Sequence, residues 1–298
     1  MILDGVVIED EFAEAFGMRA TRLVITADTA PWAMIAATSM TGFAASVIGC
    51  GCEAGIEREL PPGETPDGRP GVAVLLFAMS SKDLQKQLVD RVGQCVLTAA
   101  GSACFSGLDA PERLKLGGQL RYFGDGFQIA KKFGGRRYWR VPVMDGEFVC
   151  DHEVGMVRGV GGGNFLILAA SRPAALAAAE RAVAAIRRLP NVILPFPGGI
   201  VRSGSKIGSK YKGLIASTND AYSPTLKGET TTRLPPEAAS VLELVIDGLA
   251  AADIRAAMRA GIAAACAPGA AGGVLRISAG NYGGKLGQFH FRLREVMG

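Results

Sequence analysis

The sequence has few of the residues that usually carry metal-ion and acid–base chemistry. Only two histidines, His152 and His290, occur among 298 residues. Ser-His-Asp and Cys-His mechanisms need a histidine as base, so nucleophilic catalysis of that kind has little support. The six cysteines are scattered, and Cys50 and Cys52 lack the two-residue spacing usual for zinc. The run Cys150–Glu153 resembles a ligand set, but no second cluster completes it, and we expect a surface turn and no metal site.

The sequence also lacks an excess of one charge and a long apolar run. It has 32 basic and 28 acidic residues, a net charge of +4, which is too small to indicate nucleic-acid binding. Glycines and Pro31 interrupt the uncharged run 29–52, so we expect no membrane helix. The acidic residues Glu9–Glu11 are the wrong charge for a signal peptide. We therefore expect a cytoplasmic protein with reduced cysteines and no affinity for membranes.

Hydrophobic periodicity predicts strands alternating with helices in both halves of the chain. In the first half we expect a helix beginning near Pro31, a helix capped by Ser81, and strands at Thr21–Ala27, Ala44–Gly49 and Gly71–Met79. In the second half we expect a helix from Pro173 with Leu176 on its buried stripe, a helix at Ala252–Cys266, and strands at Asn164–Ala170, Asn191–Leu194, Ser240–Asp247, Val274–Ser278 and Gln288–Leu293. The pattern predicts an α+β fold of two ferredoxin-like lobes, a pseudo-duplication with lobes at 1–148 and 149–298.

A long segment at 195–236 has no strong periodicity, and such loops in compact domains are usually functional. It contains a glycine-rich basic run, but Ser205 precedes Lys206, so the order required for a phosphate-binding loop fails. Ser205 and Lys206 remain candidate ligands for a carboxylate or phosphate, or members of a solvated basic loop. The run 159–164 precedes a strand, which excludes a dinucleotide-binding turn.

Glu243 is the most informative single residue. In the strand Ser240–Asp247, alternation places Leu242 and Leu244 on one face and Glu243 among valines on the other. If that second face is covered, the carboxyl loses water, its pKa rises, and it can donate a proton near neutrality. The alternative is an ordinary glutamate on an edge strand in water.

Two further runs are rich in hydrogen-bonding side chains, Ser217–Tyr222 and Ala279–Lys285. Each is either part of a binding site or an ordinary turn.

Several long strings resemble one family, the formylmethanofuran–tetrahydromethanopterin formyltransferases. The resemblance extends in order over nearly the whole chain and is carried by residues 9–16, 64–71, 93–96, 123–126, 162–165, 195–201, 216–222 and 278–288.

The resemblance implies transfer of a formyl group between methanofuran and tetrahydromethanopterin as co-substrates, directly from nitrogen to nitrogen, without a metal or permanently bound cofactor. It also implies a two-lobed fold, a dimer of dimers, and a catalytic glutamate at the position of Glu243. The remaining predicted substrate-binding residues are Ser205 and Lys206 in the long segment, and, within the matching strings, Asn219, Asp220, Tyr222, Gly163, Asn164, Asn281 and Lys285.

The composition departs from that of the usually acidic archaeal members, because this chain is slightly basic and rich in alanine and arginine. It fits methylotrophic bacteria, where the similar protein is one subunit of a formyltransferase/hydrolase complex. There the formyl group passes from formyl-tetrahydromethanopterin to methanofuran and is released as formate, as part of formaldehyde oxidation to formate. Two basic groups, 131–137 and 206–212, are expected to meet acidic coenzyme tails. The alternatives are a non-catalytic subunit that positions coenzyme for a hydrolase partner, and a ferredoxin-like regulatory module that senses a small molecule.

Overall fold

The computed structural model describes all 298 residues, and they form a mixed α/β protein. The helices are α1 (Ala30–Thr41), α2 (Val47–Cys50), α3 (Ser81–Arg91), α4 (Gly117–Leu120), α5 (Arg172–Ile186), α6 (Ala251–Cys266) and α7 (Leu293–Met297). The strands are β1 (Ile2–Leu3), β2 (Val6–Ile8), β3 (Phe12–Thr26), β4 (Glu53–Leu60), β5 (Gly71–Ala78), β6 (Ala103–Ser106), β7 (Glu112–Lys115), β8 (Ile129–Phe133), β9 (Arg136–Val143), β10 (Gly146–Asp151), β11 (Glu153–Ala169), β12 (Val192–Ile193), β13 (Lys206–Ile207), β14 (Ala216–Ser217), β15 (Ser240–Gly248), β16 (Val274–Ser278) and β17 (Phe289–Arg292). No helix is long and apolar enough to cross a membrane.

The chain divides into two compact units. One, here called the continuous unit, is Met18–Gly159. The other, here called the split unit, combines Met1–Gly17 with Val160–Gly298. Strands β3 and β11 each contribute residues to both units, so the units do not divide the chain at a linker.

The continuous unit contains a mixed sheet with strand order β4-β5-β3-β6-β10-β9-β8. All neighbours are antiparallel except β6 and β10. Helices α1 and α3 contribute buried side chains that include Met40, Leu84 and Leu88. Full burial of side chains of this size stabilises a fold by about 1.5–3 kcal/mol each.

The prediction of a strand at Ala44–Gly49 is wrong, because Val47–Cys50 form a single helical turn, α2. The hydroxyl of Ser46 accepts a hydrogen bond from the Ile48 N–H, and Gly51 ends the turn at φ 76°. The strand begins only at Glu53. A serine cap and a left-handed glycine therefore override a short apolar run that alone favours a strand.

Two further predictions for the continuous unit need smaller corrections. The cap of α3 is Ser80 instead of Ser81, since the Ser80 hydroxyl accepts from the Asp83 N–H at 3.1 Å. The region 101–146, in which the periodicity predicted no strand or helix, carries strands β6 to β9.

The split unit contains the sheet β1-β2-β16-β11-β15-β12, with β2 and β16 parallel and the other pairs antiparallel. Helices α5 and α6 cover one face, and Gly261 permits their close approach. A Cβ at Gly261 would lie 2.7 Å from Ile186 and 2.9 Å from Phe165. The prediction that Leu176 is buried on α5 is wrong, because its side chain is 47% exposed. The buried face of α5 is instead mostly alanine, which lets the helices pack closely.

The long segment after β12 carries only the short β13–β14 pair and 3-10 turns before β15. It covers the face of the sheet opposite to α5 and α6. Tyr222, Leu234 and Ala238 from this segment pack with Leu166 and Leu168 of β11 in a small apolar cluster.

Candidate active site

The side chain of Glu243 lies on the sheet face that the long segment covers. Its strand neighbours are Leu166 on β11 and Val201 in the long segment. The backbone of Glu243 exchanges two hydrogen bonds with Val201, at 2.7 and 2.9 Å. Leu244 is fully buried on the opposite face, as alternation predicts. Glu243 is therefore in an interior strand position, and the edge-strand interpretation is wrong.

The carboxyl of Glu243 has neither a hydrogen-bond partner nor an ion-pair partner in the structure. It is partly accessible from one cavity and otherwise surrounded by protein. Burial raises the pKa of Glu243 to about 7. A carboxyl with this pKa is substantially protonated near neutrality, so it can donate a proton or a hydrogen bond.

The cavity beside Glu243 has a volume of about 550 Å³ and lies entirely within the split unit. We call it the Glu243 cavity. The sheet supplies its floor through Leu166 and Glu243, and helix α5 supplies Arg172 and Leu176. The rest of the wall comes from the long segment and the start of β15: Val201, Arg202, Ser203, Gly204, Thr218, Asn219, Tyr222, Ser223, Pro224, Thr225, Ala239, Ser240, Val241 and Leu242. The exposure of Leu176 is thus explained, because its side chain faces the cavity.

A second cavity, of about 290 Å³, adjoins the first, since Asn219 and Tyr222 line both. We call it the Lys206 cavity. Its other walls are Ser205, Lys206, Ile207, Ala221, Arg233, Ala279, Gly280, Asn281 and Tyr282. Two neighbouring cavities with a shared wall can hold two ligands side by side.

The structure therefore brings together most of the predicted substrate-binding residues. Ser205, Lys206, Asn219, Tyr222 and Asn281 line one or both cavities. The Lys206 ammonium pairs with the Asp220 carboxylate at 2.7 Å, and this contact lowers the pKa of Asp220.

Gly163 and Asn164 point to opposite faces of β11. A Cβ at Gly163 would lie 2.3 Å from Ile254 of α6, so this glycine is needed for helix packing. Asn164 lies on the Glu243 face and is 6% exposed. Its amide makes three hydrogen bonds to backbone groups of Gly162 and Gly280.

Lys285 is exposed in the turn after β16 and lines neither cavity. Its role as a substrate-binding residue stays a prediction.

Sequence reasoning missed Glu14, which shapes this turn. Its carboxylate is 1% exposed. It accepts hydrogen bonds from the N–H groups of Tyr282, Gly284, Leu286 and Gly287, at 2.7 to 2.8 Å. Burial alone would raise the pKa of Glu14, but the four donors outweigh it and the net pKa is lowered. Glu14 thereby fixes the turn that supplies one wall of the Lys206 cavity.

Arg233 and Ser278 also went unnoticed in the sequence. The Tyr222 hydroxyl and the Ser278 hydroxyl are 2.9 Å apart in a buried contact. Arg233 pairs with Glu11 at 2.8 Å beside the Lys206 cavity. Isolated serines and arginines carry no local pattern, so only the fold could place them.

No group of three or more histidine, cysteine, aspartate or glutamate side chains lies close enough to hold a metal ion. The site's chemical groups are a carboxyl with a raised pKa, amides, hydroxyls and basic side chains. A carboxyl of this kind beside two adjoining cavities can move a proton while a group passes between two ligands.

Comparison with known proteins identifies the family. The family model for formylmethanofuran-tetrahydromethanopterin formyltransferase matches residues 1–143, and the model for the proximal lobe of that enzyme matches residues 146–296. The chain belongs to the formylmethanofuran–tetrahydromethanopterin formyltransferase family.

Two curated relatives match over nearly their full length. The formylmethanofuran–tetrahydromethanopterin formyltransferase of Methylococcus capsulatus is 68% identical, with 100% of each chain covered. A subunit of the formyltransferase/hydrolase complex of Methylorubrum extorquens is 56% identical, with 99% of this chain and 97% of that protein covered.

Two solved structures match equally well. The formyltransferase/hydrolase complex of Methylorubrum extorquens, crystallised with methylofuran, contains a chain with a TM-score of 0.98 and 55% identity, covering 100% of this chain and 99% of that one. The formyltransferase of Methanosarcina barkeri has a TM-score of 0.93 and 48% identity, covering 99% and 100%.

Proposed function

We propose that this protein transfers a formyl group between methanofuran and tetrahydromethanopterin, and that Glu243 is its proton donor. The observation that carries this proposal is the unpaired, mostly buried carboxyl of Glu243 in the wall of a cavity. The family model and relatives up to 68% identical over the whole chain support the activity. Methanofuran and tetrahydromethanopterin are co-substrates in this proposal, and the chemistry needs no permanently bound cofactor.

The transfer proceeds directly from nitrogen to nitrogen while both coenzymes are bound. The acceptor nitrogen attacks the formyl carbon and the carbonyl oxygen takes up negative charge. The tetrahedral intermediate collapses as the bond to the donor nitrogen breaks. The leaving nitrogen gains a proton and the attacking nitrogen loses one, so the reaction is balanced overall.

Alignment of the two coenzymes supplies most of the rate enhancement over the uncatalysed reaction. Holding two reactants in register can lower a barrier by about 7–11 kcal/mol. The adjoining Glu243 and Lys206 cavities, with Asn219 and Tyr222 between them, support this arrangement. One hydrogen-bond donor at the developing oxyanion adds about 3–4 kcal/mol. The protonated Glu243 carboxyl serves as that donor or passes its proton to the leaving nitrogen.

We infer that both halves are ferredoxin-like lobes. In the continuous unit the order β4-β5-β3-β6, with α1 and α3 between strands, supports this. In the split unit the order β12-β15-β11-β16, with α5 and α6, supports it equally. In both units the elements follow one another along the chain as β-α-β-β-α-β, and the first of these four strands is an interior strand of the sheet. Along the sequence we propose lobes at 1–148 and 149–298, with 195–236 inserted in the second, which the family-model matches to 1–143 and 146–296 support. In the fold, Met1–Gly17 belong to the split unit and the continuous unit extends to Gly159.

We further propose that the chain works in an assembly, as a dimer of dimers or as one subunit of a formyltransferase/hydrolase complex. The full-length match to a subunit of the Methylorubrum extorquens complex supports this. A cytoplasmic setting is proposed as well, since the six cysteines are thiols and four are buried.

The test is an assay of the purified chain with formyl-tetrahydromethanopterin and methanofuran, followed through the pterin absorbance. Glu243→Gln keeps the shape of the side chain but carries no transferable acid proton. Its turnover is expected to fall by about 10²–10⁴-fold. Glu237→Gln, at an exposed position in the same unit, is the matched control and should retain wild-type turnover. Near-normal turnover in Glu243→Gln would remove this residue from the mechanism. Binding of both coenzymes without transfer by the wild-type chain would indicate a positioning subunit.

A further inference from the structure

Strand β16, in the sheet that carries Glu243, ends at Ser278, while its partner β11 extends beyond this point. The antiparallel ladder between β11 and β16 pairs Leu166 with Ser278. Continuing the register by two residues would pair Asn164 with Gly280, but β16 has ended by then. Here the side chain of Asn164, instead of its backbone, hydrogen-bonds to the backbone of Gly280.

The Asn164 amide makes a two-way contact with one residue. Its Oδ1 accepts a hydrogen bond from the Gly280 N–H at 2.6 Å, and its Nδ2 donates to the Gly280 carbonyl at 3.0 Å. The same Nδ2 donates to the Gly162 carbonyl at 3.1 Å. Both hydrogens of Nδ2 and one of the two lone pairs of Oδ1 are thus used within the protein. An amide occupied in this way has little capacity left for a substrate.

The contact also sets the distance between Gly280 and the catalytic carboxyl. A Cβ built on Gly280 would lie 3.2 Å from Asn164 Oδ1 and 3.5 Å from Glu243 Oε1. Gly280 therefore lies beside the carboxyl, on a side from which water could otherwise solvate it. We propose that Asn164 is a positioning residue, which holds Gly280 against Glu243 and so keeps water from that side of the carboxyl. This inference rests on the proposed role of Glu243.

Few charged groups near Glu243 compete with desolvation in setting the pKa of its carboxyl. Arg172 and Arg202 line the same cavity, but neither forms an ion pair with Glu243. Tyr222 also lines the cavity, with its hydroxyl held by a serine. Asp247 lies farther along β15 on the same face and accepts a backbone N–H at 3.0 Å. Desolvation is thus the dominant influence on the carboxyl, and desolvation is what Asn164 maintains.

The experiment follows the protonated-carboxyl C=O band of Glu243 by infrared difference spectroscopy over a range of pH. The band is assigned by its loss in Glu243→Gln. In Asn164→Ala, water gains access, so the titration midpoint should fall by about one pH unit. In Asn164→Asp, the side chain keeps its size and its acceptor for the Gly280 N–H but loses both Nδ2 donations. The added acidic group disfavours ionisation of Glu243, so the midpoint should stay at the wild-type pH or rise.

Asn191→Ala is the control, because it removes another side-chain amide in the same unit, hydrogen-bonded to Asp253 at 3.2 Å, that lines neither cavity. It should leave the midpoint unchanged even if stability falls.

The possible outcomes separate the two proposals. An unchanged midpoint in Asn164→Ala, or an equal fall in all three variants, would overturn the positioning role. A wild-type Glu243 band absent at neutral pH would instead overturn the proposed proton donor, whatever the Asn164 variants do. A reduced turnover of Asn164→Ala with unchanged Michaelis constants would agree with positioning, because Asn164 does not bind substrate.

Discussion

The buried carboxylate of Glu14 offers the sharpest test of how the site's walls are held. In Glu14→Gln, one carboxylate oxygen becomes an NH₂ group that cannot accept a hydrogen bond. Two of the four backbone N–H donors then lose their acceptor. An unsatisfied buried donor costs about 1–3 kcal/mol, so the two together cost about 2–6 kcal/mol in the free energy of unfolding.

The assay is urea denaturation followed by circular dichroism at neutral pH. Glu295→Gln is the control, because Glu295 is exposed and its nearest cation, on Arg292, is 3.9 Å away. That pair should contribute less than about 1 kcal/mol. A loss below about 1 kcal/mol in Glu14→Gln would refute the view of this turn as one organised by a buried carboxylate.

The pH dependence of the same variant gives an independent check. Because the pKa of Glu14 is lowered in the folded protein, its contribution is complete above the unfolded-state pKa near 4.5 and is lost as pH falls through the folded-state pKa. Wild type should therefore lose stability relative to Glu14→Gln on acidification. A constant difference between the two proteins from neutral to acid pH would contradict this.

Two further substitutions test the packing and hydrogen bonding around the site. Gly163→Ala places a methyl group 2.3 Å from Ile254 and should lower the free energy of unfolding in urea by about 1–3 kcal/mol. The control Gly228→Ala, whose methyl group would meet nothing within 4 Å, should be nearly neutral. Equal effects of the two substitutions would contradict the packing role of Gly163. Tyr222→Phe removes the hydroxyl contact with Ser278 and should cost about 0.5–1.5 kcal/mol in the free energy of unfolding, and no loss of stability would contradict a net stabilising contact.

The sequence predicted those elements whose pattern is long and regular. Strand β15 is a run of apolar and β-branched residues, and the pleat alone placed Glu243 on the face opposite Leu244. Helix α6 was found within one residue because its pattern is long and regular.

The errors arose where short-range chemistry or packing competed with hydrophobicity. The apolar run before Cys50 became the helical turn α2 because Ser46 and Gly51 supply its ends. Leu176 was assigned to the core because its spacing places it on the apolar stripe of α5. The alanine face of that helix is what packs, since close helix approach requires small side chains.

The sequence predicted only part of the candidate site, and the reason is a different one. Asn219 and Tyr222 were found because their run is locally dense in polar groups. The functions of Glu14 and Asn164 depend on backbone N–H and carbonyl groups far along the chain. Backbone partners have no sequence signature, so contacts of this kind appear only in the folded structure.

The most direct test of the central claim is the infrared titration of the Glu243 carboxyl in the wild-type protein. Burial without a partner raises its pKa to about 7. We predict a protonated-carboxyl band that is present at about pH 6, is lost with a midpoint near 7, and is missing throughout in Glu243→Gln. A carboxyl already ionised at about pH 6 would contradict the proposed proton donor, because it could not supply a proton to the leaving nitrogen near neutrality.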